Sequence, residues 1–403
     1  MKKNILMIPS WYPTVDNKAK GSFYREQVLL LNEDFNFYVV NIMPKNVGVL
    51  KLIILYLKNK FFYFEIIQPP SGTGIYYPQI KNLKIYSLFV PVAKFVEKLN
   101  YKLMCNFSFL SLQRVLNKLI WKPDIIHAQS VVEGGIWAHY LSHKLKIPFI
   151  ITEHQLFLLQ HYSEFKRNLI KYSMRNASKI IVVSEHQKRQ ILMTRIECDP
   201  VVLGNLVDDS IFTISKAKKD VFNILVVTYP HYIKDNETLY KAIRCLLSEQ
   251  VKDFKVQIVG GALNNSALTD KENPLYKEAE NYGITEYVEI LNHVEREKMP
   301  EIINTCDVLV STSIAETFGI ACCEAMMCGV PVISTANGGI DEMISEKNGI
   351  KIPIRDEKAL AAAILQIKNK VITFNPDEIR NSVVDKFGRK AFKTKSSGIY
   401  DSV

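Results

Sequence analysis

Two glutamates stand eight positions apart in the run Ser311-Thr-Ser-Ile-Ala-Glu316-Thr317-Phe318-Gly319-Ile320-Ala-Cys-Cys-Glu324. A short β-branched segment ends just before them, and Gly319 opens a stretch of helical spacing that Gly329-Val-Pro331 closes. Unpaired N–H groups at such a helix start attract anions, a diphosphate among them. Glu324 falls about one turn inside the helix, where a carboxylate accepts both hydroxyls of a ribose, as acids do in dinucleotide-binding folds. Glu316 lies on the loop and reaches past the phosphates toward whatever they carry. The spacing therefore orders a ligand as nucleoside, diphosphate, then polyol. Either acid alone also fits an ordinary surface carboxylate near a helix dipole. Thr-Phe-Gly between them and Gly338-Gly339 opening the next turn set the pair apart from that reading.

The elements that must carry these residues are short β-branched runs alternating with longer helical patterns, the mark of βα units and parallel sheets. The first half predicts strands at Asn4–Ile8, Phe37–Ile42, Asp124–His127, Phe149–Thr152 and Lys179–Val183. The second predicts them at Phe222–Val227, Lys255–Val259, Val288–Leu291, Val308–Ser311 and Pro331–Ser334. Each half opens on a similar phrase, Asn4-Ile5-Leu6 leading to Trp11-Tyr12-Pro13 and Asn223-Ile224-Leu225 leading to Tyr229-Pro230. The expected architecture is α/β, two doubly wound domains with a boundary near Asp208–Asp220 and a ligand in the cleft between them, at the carboxyl ends of the strands.

With these motifs the chain resembles the retaining nucleotide-sugar glycosyltransferases of glycosyltransferase family 4, whose Glu-x7-Glu signature is similar to Glu316 to Glu324. The likeness is densest from Lys255 to Pro353 and sparse between Pro44 and Ile120. It implies a GT-B fold: two Rossmann-like domains facing across a cleft, with a C-terminal helix crossing back to the first. Residues 1–207, with about 386–403 crossing back, would bind acceptor, and residues 208–385 the nucleotide-sugar donor. The crossing segment is Ser382 to Val403, with Phe387, Phe392 and Tyr400 as its docking face.

The resemblance also implies roles, position by position. Glu316 contacts the donor sugar and Glu324 the nucleotide ribose, while Thr317, Phe318, Gly319 and Ile320 surround the donor at the helix start. Gly21, in Asn17-Lys-Ala-Lys-Gly21-Ser-Phe23, is similar to the glycine turn close to diphosphate and acceptor, though a plain turn would read alike. His154, after Phe149-Ile-Ile-Thr152, resembles the family's active-site histidine, though a lone histidine after a strand is often structural. Gly260-Gly261 resembles the turn beneath the nucleotide base, and Asn205 an interdomain turn. Lys234 matches a lysine that holds the leaving diphosphate. Its usual arginine partner, five residues earlier, is replaced by Tyr229, and a phenol offers one neutral donor where a guanidinium offers a charged fork. His231 is a candidate to compensate. Glu316, His154 and Lys234 are thus the expected catalytic group, with Tyr229 at the donor.

Charge is uneven along the 403 residues. The net +10 divides into +14 up to Asn205 and −4 from Leu206 onward. The basic half is interleaved with apolar residues, as in Lys51-Leu-Ile-Ile-Leu-Tyr-Leu-Lys58, and Lys94, Lys98 and Lys102 would share one helical face. Such a surface fits anionic lipid headgroups and equally a solvated helix face. No nucleic-acid motif accompanies it. The expected partners are therefore a nucleotide sugar, with UDP favoured over GDP, a lipid-linked saccharide acceptor, and an anionic membrane surface. Capsule, lipopolysaccharide or exopolysaccharide synthesis at the inner membrane face would suit that set. No cofactor is expected, and no metal either, since no Asp-x-Asp occurs.

A membrane span needs roughly 18–20 apolar residues, which no stretch supplies, and Met1 to Pro9 is too short for a signal-peptide core. Seven cysteines without Cys-x-x-Cys spacing suit reduced thiols in a cytoplasmic protein. Neither first strand is followed by Gly-x-Gly-x-x-Gly and no Gly-x4-Gly-Lys-Ser/Thr occurs, which disfavours a dehydrogenase and an NTPase. The competing readings are a nucleotide-sugar epimerase or phosphorylase on the same fold, and a non-catalytic partner in a polysaccharide-assembly complex, the latter suggested by Tyr229.

Overall fold

A computed structural model describes residues 2–12, 21–46, 83–92, 122–215, 221–260, 270–292 and 294–403, with isolated positions between 50 and 109. Gly261, Asn17 to Lys20, Lys51, Lys58 and Lys94 lie outside the described residues, so the basic first-half segments are represented by Lys98 and Lys102, both exposed.

The chain divides into two compact units, Met1–Val183 with Lys188–Leu203 and Lys395–Val403, and Ser184–Gln187 with Gly204–Thr394. The first holds a seven-stranded sheet of β1 (Asn4–Pro9), β2 (Asn36–Asn46), β3 (Leu83–Val92), β4 (Ile125–Gln129), β5 (Phe149–Glu153), β6 (Lys179–Val182) and β7 (Pro200–Val202). Its order is β3-β2-β1-β4-β5-β6-β7, parallel throughout, with Ile5 paired to both Phe37 and Ile125. The second holds a six-stranded sheet of β8 (Phe222–Val227), β9 (Phe254–Val259), β10 (Val288–Leu291), β11 (Val308–Ser311), β12 (Val332–Thr335) and β13 (Gly349–Ile352), in the order β10-β9-β8-β11-β12-β13, again parallel.

A parallel sheet is covered on both faces, so its central strands are buried from end to end instead of alternating. Every residue of β4, β5 and β12 is buried accordingly. Helices supply the covering layers; Asn236–Ser248 turns Leu239, Tyr240, Ile243 and Leu246 onto β8 and β9 in one core, and Trp137 and Leu141 of the helix Ile136–Leu145 do the same in the other.

Three strands go beyond the sequence expectation. β7 has only three residues and starts on Pro200, β13 starts on Gly349, and β3 contains Pro91. Each carries a residue that weakens a strand signal read locally. The predicted terminal segment is two helices, Pro376–Phe387 and Arg389–Asp401, parted at Gly388. Phe387 stays in the second unit, edge-on to Phe318 at 5.0 Å. Tyr400 belongs to the first, where its Oη lies 2.7 Å from Nδ1 of buried His127, whose Nε2 is 2.7 Å from Thr152 Oγ1. Burial without a charged partner holds His127 down at about 3.

Strand order reverses between β1 and β4 in the first sheet and between β8 and β11 in the second. Such reversals splay the following loops apart and leave a crevice at the carboxyl ends of the strands.

Candidate active site

In the second unit, the loops leaving β8 and β11 flank the reversal and are tied together. The Ile314 N–H donates to Ile233 O at 2.7 Å, and Thr312 Oγ1 donates to Lys234 O at 2.9 Å. These bonds bring Lys234, from one loop, onto the carboxylate of Glu316, from the other, as an ion pair. Ser313 Oγ donates to the same Glu316 oxygen at 2.8 Å. The Tyr229 ring lies under the ammonium, its centroid 5.3 Å from Lys234 Nζ, a cation–π contact where an arginine would place a second positive charge. Tyr229 also stands 5.7 Å from the His231 ring, whose Nδ1 accepts the Ile233 N–H at 3.3 Å.

The backbone of Glu316 is pinned from beneath. Its N–H donates to Asn337 O at 3.2 Å, and a Cβ on Gly339 would come within 2.5 Å of Glu316 O. Only glycine permits that approach. Gly319 takes φ +85°, and a Cβ there would meet Ile340 Cγ1 at 2.4 Å. It caps the helix Ile320–Met327 without any side-chain hydrogen bond, so the first-turn N–H groups are left to solvent or a ligand. Thr317 and Ile320 are half-buried beside this start, whereas the Phe318 ring is buried. Gly260 ends β9 against Thr228 at the base of the same β8 loop, its N–H donating to Leu291 O at 2.9 Å.

Glu324 is the fifth residue of that helix and is only 4% exposed. Its carboxylate forms an ion pair with Arg296, from the turn after β10, and the guanidinium lies 5.2 Å from the Phe212 ring centroid. Burial pushes the Glu324 carboxyl above the usual carboxylate range, and Arg296 opposes the shift. Arg296 carries no local sequence signal, because Glu295-Arg296-Glu297-Lys298 reads as a solvated charge run.

In the first unit, Gly21 has φ +76° and opens the helix Ser22–Leu31. Two residues of that helix, Phe23 and Tyr24, set their rings 5.1 and 4.9 Å from His154 at the end of β5. The structure thus gathers Gly21 and His154 around one aromatic contact. His154 Nε2 is 2.7 Å from Gln129 Oε1, and its N–H donates to Glu153 Oε1 at 2.8 Å. Glu153 is buried and accepts three backbone N–H groups, from Val131, His154 and Gln155, each at 2.8 Å. Desolvation raises its carboxyl and the backbone donors oppose that. Ser10 Oγ sits among Gln129 O, Val132 O and the Gly134 N–H. Two non-glycine residues of this turn, Ser130 and Glu133, have positive φ of 68° and 66°. None of Ser10, Gln129 or Glu153 carries a local sequence signal; the one available hint is Gly134-Gly135 soon after a buried strand. Among the described residues no three His, Cys, Asp or Glu side chains converge as metal ligands, and none of the seven cysteines is in a disulfide.

Comparison with known proteins bears on the same two units. The family described as glycosyltransferase family 4 matches residues 74–210, and that described as glycosyl transferases group 1 matches residues 208–378. The chain is a family 4-like glycosyltransferase. A curated relative, an uncharacterized glycosyltransferase of Methanocaldococcus jannaschii, is 28% identical over 251 residues, 61% of this chain and 66% of that protein. A phosphatidylinositol N-acetylglucosaminyltransferase subunit of Arabidopsis thaliana is 23% identical over 79% of this chain and 70% of its own length. The glycosyltransferase chain thus spans about two thirds of these relatives. Among solved structures, sucrose-phosphate synthase from Thermosynechococcus elongatus superposes with a TM-score of 0.71 at 16% identity, covering 100% of this chain and 99% of the other. Anabaena HepE in complex with UDP-glucose gives 0.69 at 16% identity, covering 99% and 100%. The fold is GT-B.

Proposed function

We propose that the protein transfers a glycosyl group from a nucleoside-diphosphate sugar to an acceptor hydroxyl with retention of anomeric configuration. The observation that carries this reading is the junction of Lys234 and Glu316 beside a helix start that no side chain caps. As the sugar–phosphate bond breaks, negative charge grows on the leaving diphosphate and positive charge on the sugar ring. Lys234 and the first-turn N–H groups after Gly319 stabilise the former. An arriving diphosphate competes with Glu316 for Lys234, and the released carboxylate then accepts hydrogen bonds from sugar hydroxyls and sets the ring's register. Glu324 takes the ribose. In the first unit, the Gly21 turn and His154 serve the transferred sugar and acceptor. With the leaving charge carried by Lys234 and backbone dipoles, the reaction runs without a metal ion.

UDP is the favoured carrier, since structural neighbours of this fold are described in complex with UDP and with UDP-glucose. A lipid-linked acceptor at an anionic membrane face fits the +14 first half and relatives named for transfer to phosphatidylinositol. A neighbour named as a lipopolysaccharide outer core galactosyltransferase suits a role in surface polysaccharide synthesis. Among the described residues no helix is long and apolar enough to cross a membrane.

The decisive experiment pairs activity with binding. Glu316→Ala should lose transfer while keeping calorimetric affinity for UDP, and wild-type turnover by that variant would remove the sugar-contact role. Tyr229 favours one second reading, a partner that has lost catalysis. Absence of any nucleoside-diphosphate affinity in the wild type would support it.

A further inference from the structure

Glu324 poses a physical problem that the proposed function does not by itself resolve. A carboxylate that accepts two ribose hydroxyls must be ionised, yet this one is almost wholly removed from water. A buried acid left alone takes up a proton, and a neutral acid offers one acceptor fewer and adds a donor of its own. The groups around it, among the described residues, are few. On its own helix and at that helix's end stand the thiols of Cys322, Cys323 and Cys328, all raised by burial and therefore neutral. From the helix Pro376–Phe387, Arg380 approaches Cys328, but its guanidinium donates to the carbonyls of Asp209, Phe212 and Met327. From the turn after β10 comes Arg296, which is bonded directly to the carboxylate. Its position is not left to a flexible stem: the guanidinium is laid against the Phe212 ring.

Resting on the reading of Glu324 as the ribose acid, we propose that Arg296 is a positioning residue, which keeps that carboxylate charged and aimed so that it meets the paired hydroxyls of a nucleotide as an acceptor. Arg296 stacks on Phe212, bonds Glu324 through one guanidinium nitrogen, and leaves the second carboxylate oxygen to the ligand. Loss of its charge converts a ribose contact indifferent to pH into one that waits for Glu324 to ionise.

The test uses the full chain with UDP and 2′-deoxy-UDP as probes, in calorimetry between pH 6 and pH 9. The wild type should bind 2′-deoxy-UDP more weakly than UDP throughout, with a ratio between the two that changes little across the range, since the ionisation of the phosphates is common to both. Arg296→Met should bind UDP at least about tenfold more weakly at pH 6 and recover to within about threefold at pH 9, as the buried acid gives up its proton. At pH 6 the same variant should no longer tell the two nucleotides apart. Arg296→Lys, which keeps the charge but loses the planar stack, should show a small loss that is uniform with pH. A melting curve with each variant separates weak binding from misfolding, and Arg296→Lys retains the test if Arg296→Met does not fold. A pH-independent loss in Arg296→Met, or undiminished discrimination at pH 6, overturns the role of Arg296 alone. Equal binding of the two nucleotides by the wild type removes the ribose reading, and this proposal with it.

Discussion

At the carboxyl edge of the second sheet, Lys234 meets Glu316 and Arg296 meets Glu324. The matching edge of the first sheet is joined chiefly by hydrogen bonds, from Ser10 to the turn after β4 and between Gln129 and His154, with Glu153 spent on three backbone N–H groups and one half-exposed ion pair, Lys166–Glu133, at its margin. The difference concerns what each edge can exchange. An ion pair at a loop junction can trade one partner for an incoming charge of the same sign, so the second edge is suited to receive a diphosphate. A hydrogen-bonded network around strained backbone at Ser130 and Glu133 cannot trade members without losing its shape. The first edge is therefore mainly a hydrogen-bonded frame, and the second is built on paired charges. Substitutions of Lys234 and Arg296 should change ligand handling more than folding, and those of Ser10, Gln129 and Glu153 the reverse.

The sharpest way to break that contrast is acid. The neutral His127 ring is held between Tyr400 and Thr152 with a folded value of about 3, against about 6.5 in an unfolded chain. Between those values the unfolded chain binds a proton that the folded one refuses. Stability from this group is therefore complete above about pH 6.5 and is lost as pH falls toward 3, by roughly 4–5 kcal/mol at most. Urea midpoints measured from pH 7 to pH 4 should fall steeply in wild type and less so in His127→Gln. Equal slopes would mean that the first unit has no such dependence.

Next in size is Lys234→Ala, expected to lower turnover by about 100-fold or more. The pair it breaks is mostly buried, though Glu316 keeps the Ser313 hydroxyl, so folding stability should change by about 1–2 kcal/mol, less than the activity loss. A melting temperature that falls in step with activity would show that the second edge is scaffold after all. Gly319→Ala tests the helix start itself. A methyl group at φ +85° facing Ile340 should cost about 2–3 kcal/mol and weaken UDP binding, read by thermal shift with and without ligand. Smallest is Tyr400→Phe, which strands a buried imidazole nitrogen for about 1–2 kcal/mol and should leave UDP affinity untouched.

The same contrast explains what could be read in advance. β8, β10 and β11 match their expected bounds because each is a short run dominated by Val, Ile and Leu. Glu316, Gly319 and Glu324 were legible because nine consecutive residues contain the loop, the helix start and both acids. Arg296 is 28 positions from the acid it holds, Gln129 is 25 from His154, and Ser10 is over a hundred from the turn it organises. Spacing rules describe one element at a time, so a partner delivered by another strand carries no local trace. Tyr229 lies between the two cases. Its departure from the family was visible in sequence, but the ring's place under Lys234 was not.

The contact of Tyr400 with His127 has a further consequence for how the chain is made. Residues 395–403 leave the ribosome only after the whole second unit has been synthesised, yet they close over a histidine translated some 270 positions earlier. Until then the Nδ1 of His127 is without the hydroxyl it meets in the finished fold. The unit that starts first is finished last.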